Sequence, residues 1–221
     1  MDIDPLNLPI QDRYKLLIGA IVPRPIAFVS TISPDGRTNL APFSFFNGVS
    51  SNPPTLLFCP ANKADGSDKD TLRNCAPESE GGVGHFVVNI VSHGLGRRMS
   101  ACAEELAYGE SEFDFSELTP APSMRVRPPR VAEAPLAFEC TTERVLRLNP
   151  GAPAGGNIVI GRIVHIHAAE GLVNDRWHVD PAKLDALGRM AGQTYCTTRD
   201  RLEIPWGRAA LGDQPVGLGG G

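Results

Sequence analysis

The stretch "LAFECTTERVLRLNPGAPAGGNIVIGRIVHIHAAEGLV", residues 136–173, contains two long strand-like runs. In the first run, 136–148, apolar and small side chains alternate with charged and polar ones between residues 138 and 143, the pattern of a half-buried strand. The second run, 157–173, is rich in β-branched residues, and Gly161 within it predicts a bulge or bend. The segment "PGAPAGG" between the runs predicts a loop, so the whole stretch predicts a β-hairpin.

Shorter strand-like runs precede this hairpin along the chain. They are rich in β-branched and aromatic residues, are bounded by proline or glycine turns, and lie at 21–33, 54–61 and 85–91. Helix patterns are fewer and lie at 12–20, 67–76, 94–108 and 180–190, the last beginning with an Asp-Pro pair. Strands at this density favour one β-rich domain with a closed or partly closed barrel.

The composition is that of an ordinary globular chain, with 221 residues, 42% hydrophobic and 21% charged, and a net charge of −4. No run of basic residues is present, so nucleic acid is not an expected partner. No apolar stretch approaches the ~20 residues that cross a bilayer, and the acidic start lacks the apolar segment of a signal peptide. We therefore predict a cytoplasmic protein without a membrane partner, with one domain over 1–207 and a flexible tail over 208–221.

Several other kinds of chemistry have no sequence support. The chain has no GxxxxGK[ST], GxGxxG or GxSxG motif, and its five cysteines form no CxxC pair, which predicts buried, reduced thiols. The "HIH" at 165–167 places two imidazoles on one face of a strand, an arrangement that can suit a metal. No third ligand is identifiable nearby in the sequence, so a half-exposed strand is preferred and no metal is predicted.

The stretch "NLAPFSFFNGVSSNPP", 39–54, is too broken by proline and glycine for a long strand and too apolar for an ordinary surface loop. Aromatic side chains in it can wall a slot for a planar ring, and serine and asparagine can offer polar groups along its edge. These residues are Phe43, Phe45, Phe46, Ser44, Asn47, Ser50 and Ser51. A core loop that uses them only for packing and turns is an equally good interpretation.

A second stretch, "DKDTLRN" at 68–74, presents a cation, a hydroxyl and the N–H groups of a helix start, which together suit a phosphate. Asp70 would repel a phosphate and is interpreted as a helix cap. Arg24, between two prolines, is a further candidate cation. A solvated helix start is the alternative interpretation, but one ring site and one phosphate site together describe a mononucleotide cofactor such as FMN.

The blocks "GAIVPRPIAFVST", "NLAPFSFFNGVSSNPPTLLF", "KDTLRN" and "FVVNIV" resemble, in this order, the flavin reductase-like family of FMN-binding split-barrel proteins. The resemblance covers about residues 14 to 200. It implies a mainly β fold, a Greek-key split barrel of about six strands with a few peripheral helices. It also implies non-covalent FMN and a homodimer with the sites at or near the subunit interface.

Carried over by motif, the resemblance implies that one group of residues lines the flavin and its ribityl chain: Ser30, Thr31, Asn39, Ala41, Pro42, Phe43, Ser44, Asn47 and Ser50. Lys69 and Thr71 would meet the phosphate, together with Arg24. The later block "LGRMAGQTYCTT", 187–198, would bring Arg189 and Tyr195 towards the flavin, where they would position a nicotinamide or close the pocket.

The family does not fix the activity. Some members reduce flavin with NAD(P)H for a partner monooxygenase, and others resemble flavoredoxins that pass electrons to an acceptor. Because the flavin itself carries the hydride chemistry, no acid–base residue need stand out. We expect an NAD(P)H-dependent flavin reductase. An electron-transfer protein, a flavin-binding module without turnover and, disfavoured by the family blocks, a pyridoxamine-phosphate-oxidase-like enzyme are the alternatives.

Overall fold

The computed structural model describes residues 1–106 and 110–211, and the backbone of 217–218. The strands are β1 Ala27–Ile32, β2 Thr38–Phe43, β3 Phe46–Ser51, β4 Pro54–Phe58, β5 His85–Ile90, β6 Pro120–Ala121, β7 Arg130–Val131, β8 Leu136–Arg147, β9 Asn157–Ala168, β10 Leu187–Arg189, β11 Tyr195–Thr197, β12 Leu202–Glu203 and β13 Gly217–Leu218. The α-helices are α1 Ile10–Ala20, α2 Asp70–Cys75, α3 Gly96–Ala101, α4 Glu112–Phe115 and α5 Pro181–Leu184. Single 3-10 turns lie at Pro5–Asn7, Glu78–Glu80, His93–Leu95 and Gly207–Leu211.

The main sheet is antiparallel and has the order β2-β1-β5-β8-β9-β4-β3. The sheet curls so that end strand β2 packs against β4, the strand next to the opposite end. There the ring centres of Phe43 and Phe58 are 5.2 Å apart. The predicted hairpin forms its long central pair, β8 and β9. The mainly β split-barrel prediction is confirmed. The main sheet has seven strands, whereas about six were expected. The stretch 39–54, which looked too broken for a long strand, forms most of β2 and all of β3.

Two apolar clusters stabilise this arrangement. The inner cluster fills the curl of the sheet with side chains that include Phe43, Phe58, Phe86, Leu56, Leu72, Val29, Val88, Val159, Cys75 and Cys140. The outer cluster lies between β1–β2 and helices α3 and α4, with Phe28, Leu40, Leu95, Met99, Cys102 and Phe113. Alternate residues of β1 face opposite sides, so this strand contributes to both clusters.

Gly161 lies where β8 and β9 depart from regular pairing, since the register shifts between Thr142 and Arg144 on the strand opposite. The glycine also permits a close approach of two elements. A Cβ atom added there would lie 2.3 Å from Cζ of Phe86 and 3.2 Å from Cβ of Cys140. The predicted irregularity is therefore present, and the absence of a side chain leaves room for the Phe86 ring in the inner cluster.

Replacing Gly161 with alanine is expected to lower the free energy of unfolding by about 1–3 kcal/mol, because the added methyl overpacks the inner cluster. Urea unfolding followed by circular dichroism measures the loss. Gly48→Ala is the matched control, since a Cβ at this other strand glycine meets nothing within 4 Å. Equal stability of the two variants would show that the Phe86 ring moves aside at little cost.

The helix predictions are correct in place and wrong in detail. Helix α2 begins at Asp70 with Lys69 as its N-cap and no side-chain cap bond, so the interpretation of Asp70 as a cap is wrong. The helix predicted over 94–108 ends at Ala101, and positions 107–108 lie outside the described residues. The helix predicted over 180–190 starts at the expected Asp-Pro pair but ends at Leu184, because Asp185 adopts a left-handed φ of 42°.

Much of the tail predicted over 208–221 lies outside the described residues. The described part contains the 3-10 turn Gly207–Leu211, and Gly217–Leu218 pairs with Leu202–Glu203. The division into a domain over 1–207 and a flexible tail therefore stays a prediction. No helix among the described residues has the length and apolar character needed to cross a membrane.

Candidate functional site

A cleft of about 330 Å³ opens beside β2 and the first turn of α2. Strand β2 contributes one wall, the loop before α2 contributes the floor, and the segment after α3 contributes the far side. Its lining includes the predicted residues Asn39, Ala41, Pro42, Phe43, Ser44, Lys69 and Thr71. Two stretches that are thirty residues apart in the sequence thus meet in one cleft, as the resemblance implied.

The apolar wall of the cleft comes from Phe43 and Phe45. Phe43 is buried and is held by its ring contact with Phe58, so its position is fixed by the inner cluster. Phe46, the third phenylalanine of the stretch, packs against the inner cluster instead. Both interpretations that the sequence left open therefore apply to this stretch, because it lines a cleft and also packs part of the core.

A buried hydrogen-bond network stands behind the polar edge of the cleft. The Asn39 amide donates to the hydroxyls of Thr31 (3.2 Å) and Thr71 (2.9 Å), and the Asn74 amide donates to Thr31 (3.0 Å). Thr31 is fully buried and supports the edge without lining the cleft. Since the Thr71 oxygen accepts from Asn39, its own O–H remains available to donate to a group in the cleft.

Two lysines line the cleft, Lys63 and Lys69. The Lys63 ammonium lies 3.8 Å from the Asp70 carboxylate, which also pairs with Arg73. Within residues 1–106 and 110–211, the Lys69 ammonium takes part in no ion pair or hydrogen bond. Lys63 was missed by the sequence analysis, although it lies only six residues before Lys69 in the same polar loop.

Acidic side chains also line the cleft. Besides Asp70, they are three residues that the sequence analysis did not single out: Glu104, Glu105 and Glu112. The Glu112 carboxylate accepts the backbone N–H of Leu40 at 3.1 Å. Burial raises the pKa of the Glu112 carboxyl above its usual value. The cleft thus presents two ammonium groups among several carboxylates, and the Asp70 and Glu112 carboxyl groups lie close enough to influence each other.

Arg24 is buried, and protein acceptors occupy its guanidinium. It donates to the carbonyls of Ile18 (2.7 Å), Ile21 (2.8 Å) and Met190 (3.0 Å), and to the Ser44 hydroxyl (3.2 Å). These bonds join the end of α1, the chain after β10 and the residue after β2. The structure therefore gives Arg24 a bridging position in the wall of a neighbouring cleft, with most of its N–H donors already used.

A second cleft adjoins the first and shares Tyr14, Pro42, Ser44 and Ala103 with it. Arg189 and Tyr195 line this second cleft together. They face each other across the β10–β11 pair, where the guanidinium bonds the Tyr195 hydroxyl and lies 4.5 Å from the centre of its ring. The two residues predicted for the substrate side are thus brought together beside the first cleft.

Besides Thr31, three predicted residues do not line the two clefts of this single chain. Ser30 is fully buried on the other face of β1, where its hydroxyl donates to the Pro129 carbonyl. Asn47 and Ser50 lie on β3, at the edge of the sheet, and both are exposed. Among the described residues, their side chains hydrogen-bond only locally, accepting from the backbone N–H groups of Gly48 and Asn52.

Two cysteines also line the first cleft, Cys59 and Cys102. Burial raises the pKa of both thiols, which disfavours the nucleophilic thiolate. All five cysteines of the chain are free. Packing therefore accounts for these two residues, as the sequence analysis expected.

The chain is similar in sequence and in fold to known proteins. A model of the flavin reductase like domain matches residues 19–185. The crystal structure of nitrilotriacetate monooxygenase component B from Bacillus cereus is 35% identical, with a TM-score of 0.85, covering 92% of this chain and 98% of that one. The structure of 2-nitrobenzoate 2-nitroreductase NbaA from Pseudomonas fluorescens is 28% identical, with a TM-score of 0.80 and coverages of 94% and 97%.

An uncharacterized protein of Halalkalibacterium halodurans is 37% identical over 196 residues, which are 88% of this chain and 91% of that protein. The family match spans the barrel strands β1 to β9, both lysines of the first cleft and the whole of β2. The family match implies that this chain handles a flavin, as cofactor or as substrate. The chain is a flavin-related oxidoreductase, and it belongs to the flavin reductase-like family.

Proposed function

We propose that the chain binds FMN non-covalently in the first cleft and reduces flavin with NAD(P)H, supplying reduced flavin to an acceptor. This proposal rests on one observation. In the first cleft, an apolar wall lies next to an ammonium that is unpaired among the described residues and a hydroxyl that is available as a donor. Phe43 and Phe45 form the wall, and Lys69 and Thr71 form the polar end. A flavin mononucleotide has the matching parts, a flat ring at one end and a phosphate at the other.

The polar end suits a phosphate for two reasons. The Lys69 ammonium has no partner among the described residues, so it can pair with an anion without first breaking an ion pair. The Thr71 hydroxyl is oriented by Asn39 so that its proton points away from that amide. A hydrogen bond to a charged group is stronger than one between neutral groups, so a phosphate gains more here than a neutral hydroxyl would.

When bound, a flavin would supply the hydride-accepting ring. The chain's own residues hold that ring and limit its contact with water. Phe43 is fixed by Phe58, so the wall is formed before the cofactor arrives and little side-chain freedom is lost on binding. Pro42, next to it, restricts the backbone of the same wall.

The adjoining cleft suits a nicotinamide reductant. Arg189 offers a cation for the pyrophosphate or amide of NAD(P)H, and Tyr195 offers a flat face beside it. Ser44 and Pro42 belong to both clefts, so a reductant in the second lies next to a flavin in the first. This proximity is what direct hydride transfer between two bound rings requires.

The proposal is tested by adding NADH and NADPH to the flavin-loaded protein without oxygen and following the visible absorbance of the flavin. We expect one of them to bleach it, and Arg189→Gln to slow the bleaching by about tenfold or more, since a charged contact is lost. Chemical reduction by dithionite is the control and should be unaffected. If neither nucleotide bleaches the wild-type flavin, the electron-transfer interpretation replaces the reductase.

A partner monooxygenase is the proposed acceptor, by similarity to the Bacillus cereus monooxygenase component B. Mixing the reduced protein with free flavin and an oxygenase distinguishes a flavin reductase from an electron carrier. A reductase releases reduced flavin, whereas an electron carrier keeps its flavin bound. We also propose a cytoplasmic location, because the five free cysteines suit a reducing compartment.

Exposed apolar side chains on α1 and β9 point to a homodimer, which we propose as the working form. Helix α1 buries none of its residues, and Leu16 and Leu17 are 46% and 49% exposed. Ile166 on β9 is 53% exposed. Such apolar faces need cover in solution. Exposed Asn47 and Ser50 on edge strand β3 would then meet the flavin only with help from a second chain.

Light scattering is expected to give about twice the chain mass of 23.7 kDa. Leu17→Glu should shift the protein to monomer, because a charge would be buried at the interface. Gln11→Glu adds the same charge at an exposed polar position of α1 and should leave the dimer intact. A wild-type monomer that binds FMN tightly would show that the site is complete in one chain.

A further inference from the structure

Away from both clefts, three metal-ligating side chains meet on the β8–β9 pair. They are Glu139 of β8 and His165 and His167 of β9, and one ligand atom from each lies within 4.8 Å of those of the other two. The two imidazole rings are in edge contact, with centres 4.7 Å apart. The sequence analysis predicted no metal because no third ligand was visible near the two histidines, and the fold supplies one.

The strand pairing builds this cluster. Glu139 pairs directly with His165, and His167 is two residues further along the same face of β9. The register shifts next to this pair, between Glu139 and Cys140, where β9 carries one additional residue. Such bulges change the direction of nearby side chains, and here the two imidazoles face one carboxylate.

The carboxylate is held in place by the backbone of a neighbouring loop. Its Oε1 accepts the N–H of Met124 at 2.7 Å, and its Oε2 accepts the N–H of Arg125 at 2.6 Å. The Glu139 side chain is fully buried, whereas that of His167 is 22% exposed. Supporting hydrogen bonds of this kind orient ligands in metal sites, and partial exposure of the histidine leaves a path for an ion and for water ligands.

We propose that Glu139, His165 and His167 form a binding site for a divalent transition-metal ion of the Zn²⁺ class. Two imidazoles and one carboxylate are a ligand set that such ions accept, with water in the remaining positions. At present His167 Nε2 lies 2.5 Å from Glu139 Oε1. The ion takes the place of the proton between these two atoms, which move apart to coordinate it. The neutral His167 ring then carries its proton on Nδ1, and any second proton passes to solvent.

A simpler role competes with this one. A hydrogen bond between His167 and Glu139 would by itself hold the carboxylate that anchors the loop at Met124 and Arg125. That role does not need His165, whose ring would then be an ordinary strand side chain. The effect of replacing His165 on metal binding therefore distinguishes the two roles.

The test uses the untagged full-length chain, treated with a chelator and titrated with Zn²⁺ in a calorimeter. We expect one Zn²⁺ per chain and a Zn²⁺-dependent rise in the unfolding temperature. His165→Ala should weaken Zn²⁺ binding by at least about tenfold and abolish that rise. Its metal-free unfolding temperature should match that of the wild type, because the Glu139–His167 bond is kept.

His178→Ala is the matched control, since it removes an exposed imidazole outside the cluster and should bind Zn²⁺ as the wild type does. Two results would overturn the proposal. One is the absence of stoichiometric Zn²⁺ binding to the wild type. The other is unchanged Zn²⁺ affinity in His165→Ala, which would place any bound ion on other ligands, such as the free thiols. Neither result depends on flavin binding or on reductase activity.

Discussion

Replacing Lys69 with alanine is expected to weaken FMN binding by about ten- to a hundredfold, because a hydrogen bond to a charged group contributes ~1.5–3 kcal/mol. Riboflavin has the same ring and ribityl chain but no phosphate, so its affinity should barely change. Quenching of flavin fluorescence gives both affinities. The variant should also lose much of the salt dependence of FMN binding, since screening acts on the pair of charges.

Two further variants sharpen this result. Thr71→Val removes the hydroxyl at nearly constant volume and should weaken FMN binding without changing its salt dependence. Lys183→Ala removes a lysine whose ammonium bonds the Gly171 carbonyl outside both clefts, and it should change neither flavin. Equal weakening of FMN and riboflavin by Lys69→Ala would mean that the residue supports the loop and is no phosphate ligand. If neither Lys69→Ala nor Thr71→Val changes the affinity for FMN, Lys63 becomes the next candidate phosphate ligand.

Replacing Arg24 with methionine is expected to lower the free energy of unfolding by about 3 kcal/mol or more, because it removes four hydrogen bonds donated by a buried charged group, each of which contributes about 1.5–3 kcal/mol. The three carbonyls of Ile18, Ile21 and Met190 all lose their donor. Urea unfolding measures the loss. Arg97→Met, at an exposed position of α3, is the matched control and should stay within about 0.5 kcal/mol of the wild type.

Arg24→Lys should recover only part of this stability, because an ammonium cannot reproduce the planar fork that reaches several acceptors at once. The same variants decide between a bridging role and a phosphate contact. If Arg24 contacts the phosphate, Arg24→Met would weaken FMN selectively over riboflavin and leave the unfolding curve unchanged.

The sequence analysis located the strands with apolar runs and missed those interrupted by proline and glycine. Strand β2 contains Pro42 and strand β3 contains Gly48, and both residues normally disfavour strands. Each strand lies at an end of the sheet and has a neighbour on one side only. At an end of the sheet, the missing N–H of a proline or the missing side chain of a glycine costs little stability. The sequence alone does not reveal which strands lie at the ends.

The candidate site could be predicted where its residues follow one another in a motif, as along β2 and at the start of α2. It could not be predicted where distant segments meet. Arg24 looked like a free cation because its acceptor Met190 lies 166 residues later in the chain. Glu139 looked like an ordinary polar strand residue because only the pairing of β8 with β9 brings it to the histidines.

The order of strands in the sheet has a consequence for biosynthesis. Strand β4 pairs with β9, where Phe58 faces Val159, so the β3–β4 hairpin has no second neighbour until about 100 further residues are made. At ribosomal rates of about 5–20 residues per second, this interval lasts about 5–20 seconds. An isolated hairpin is marginally stable in water. The nascent chain therefore leaves one backbone edge of β4 without a strand partner for seconds, and during that time this edge is open to pairing with another chain.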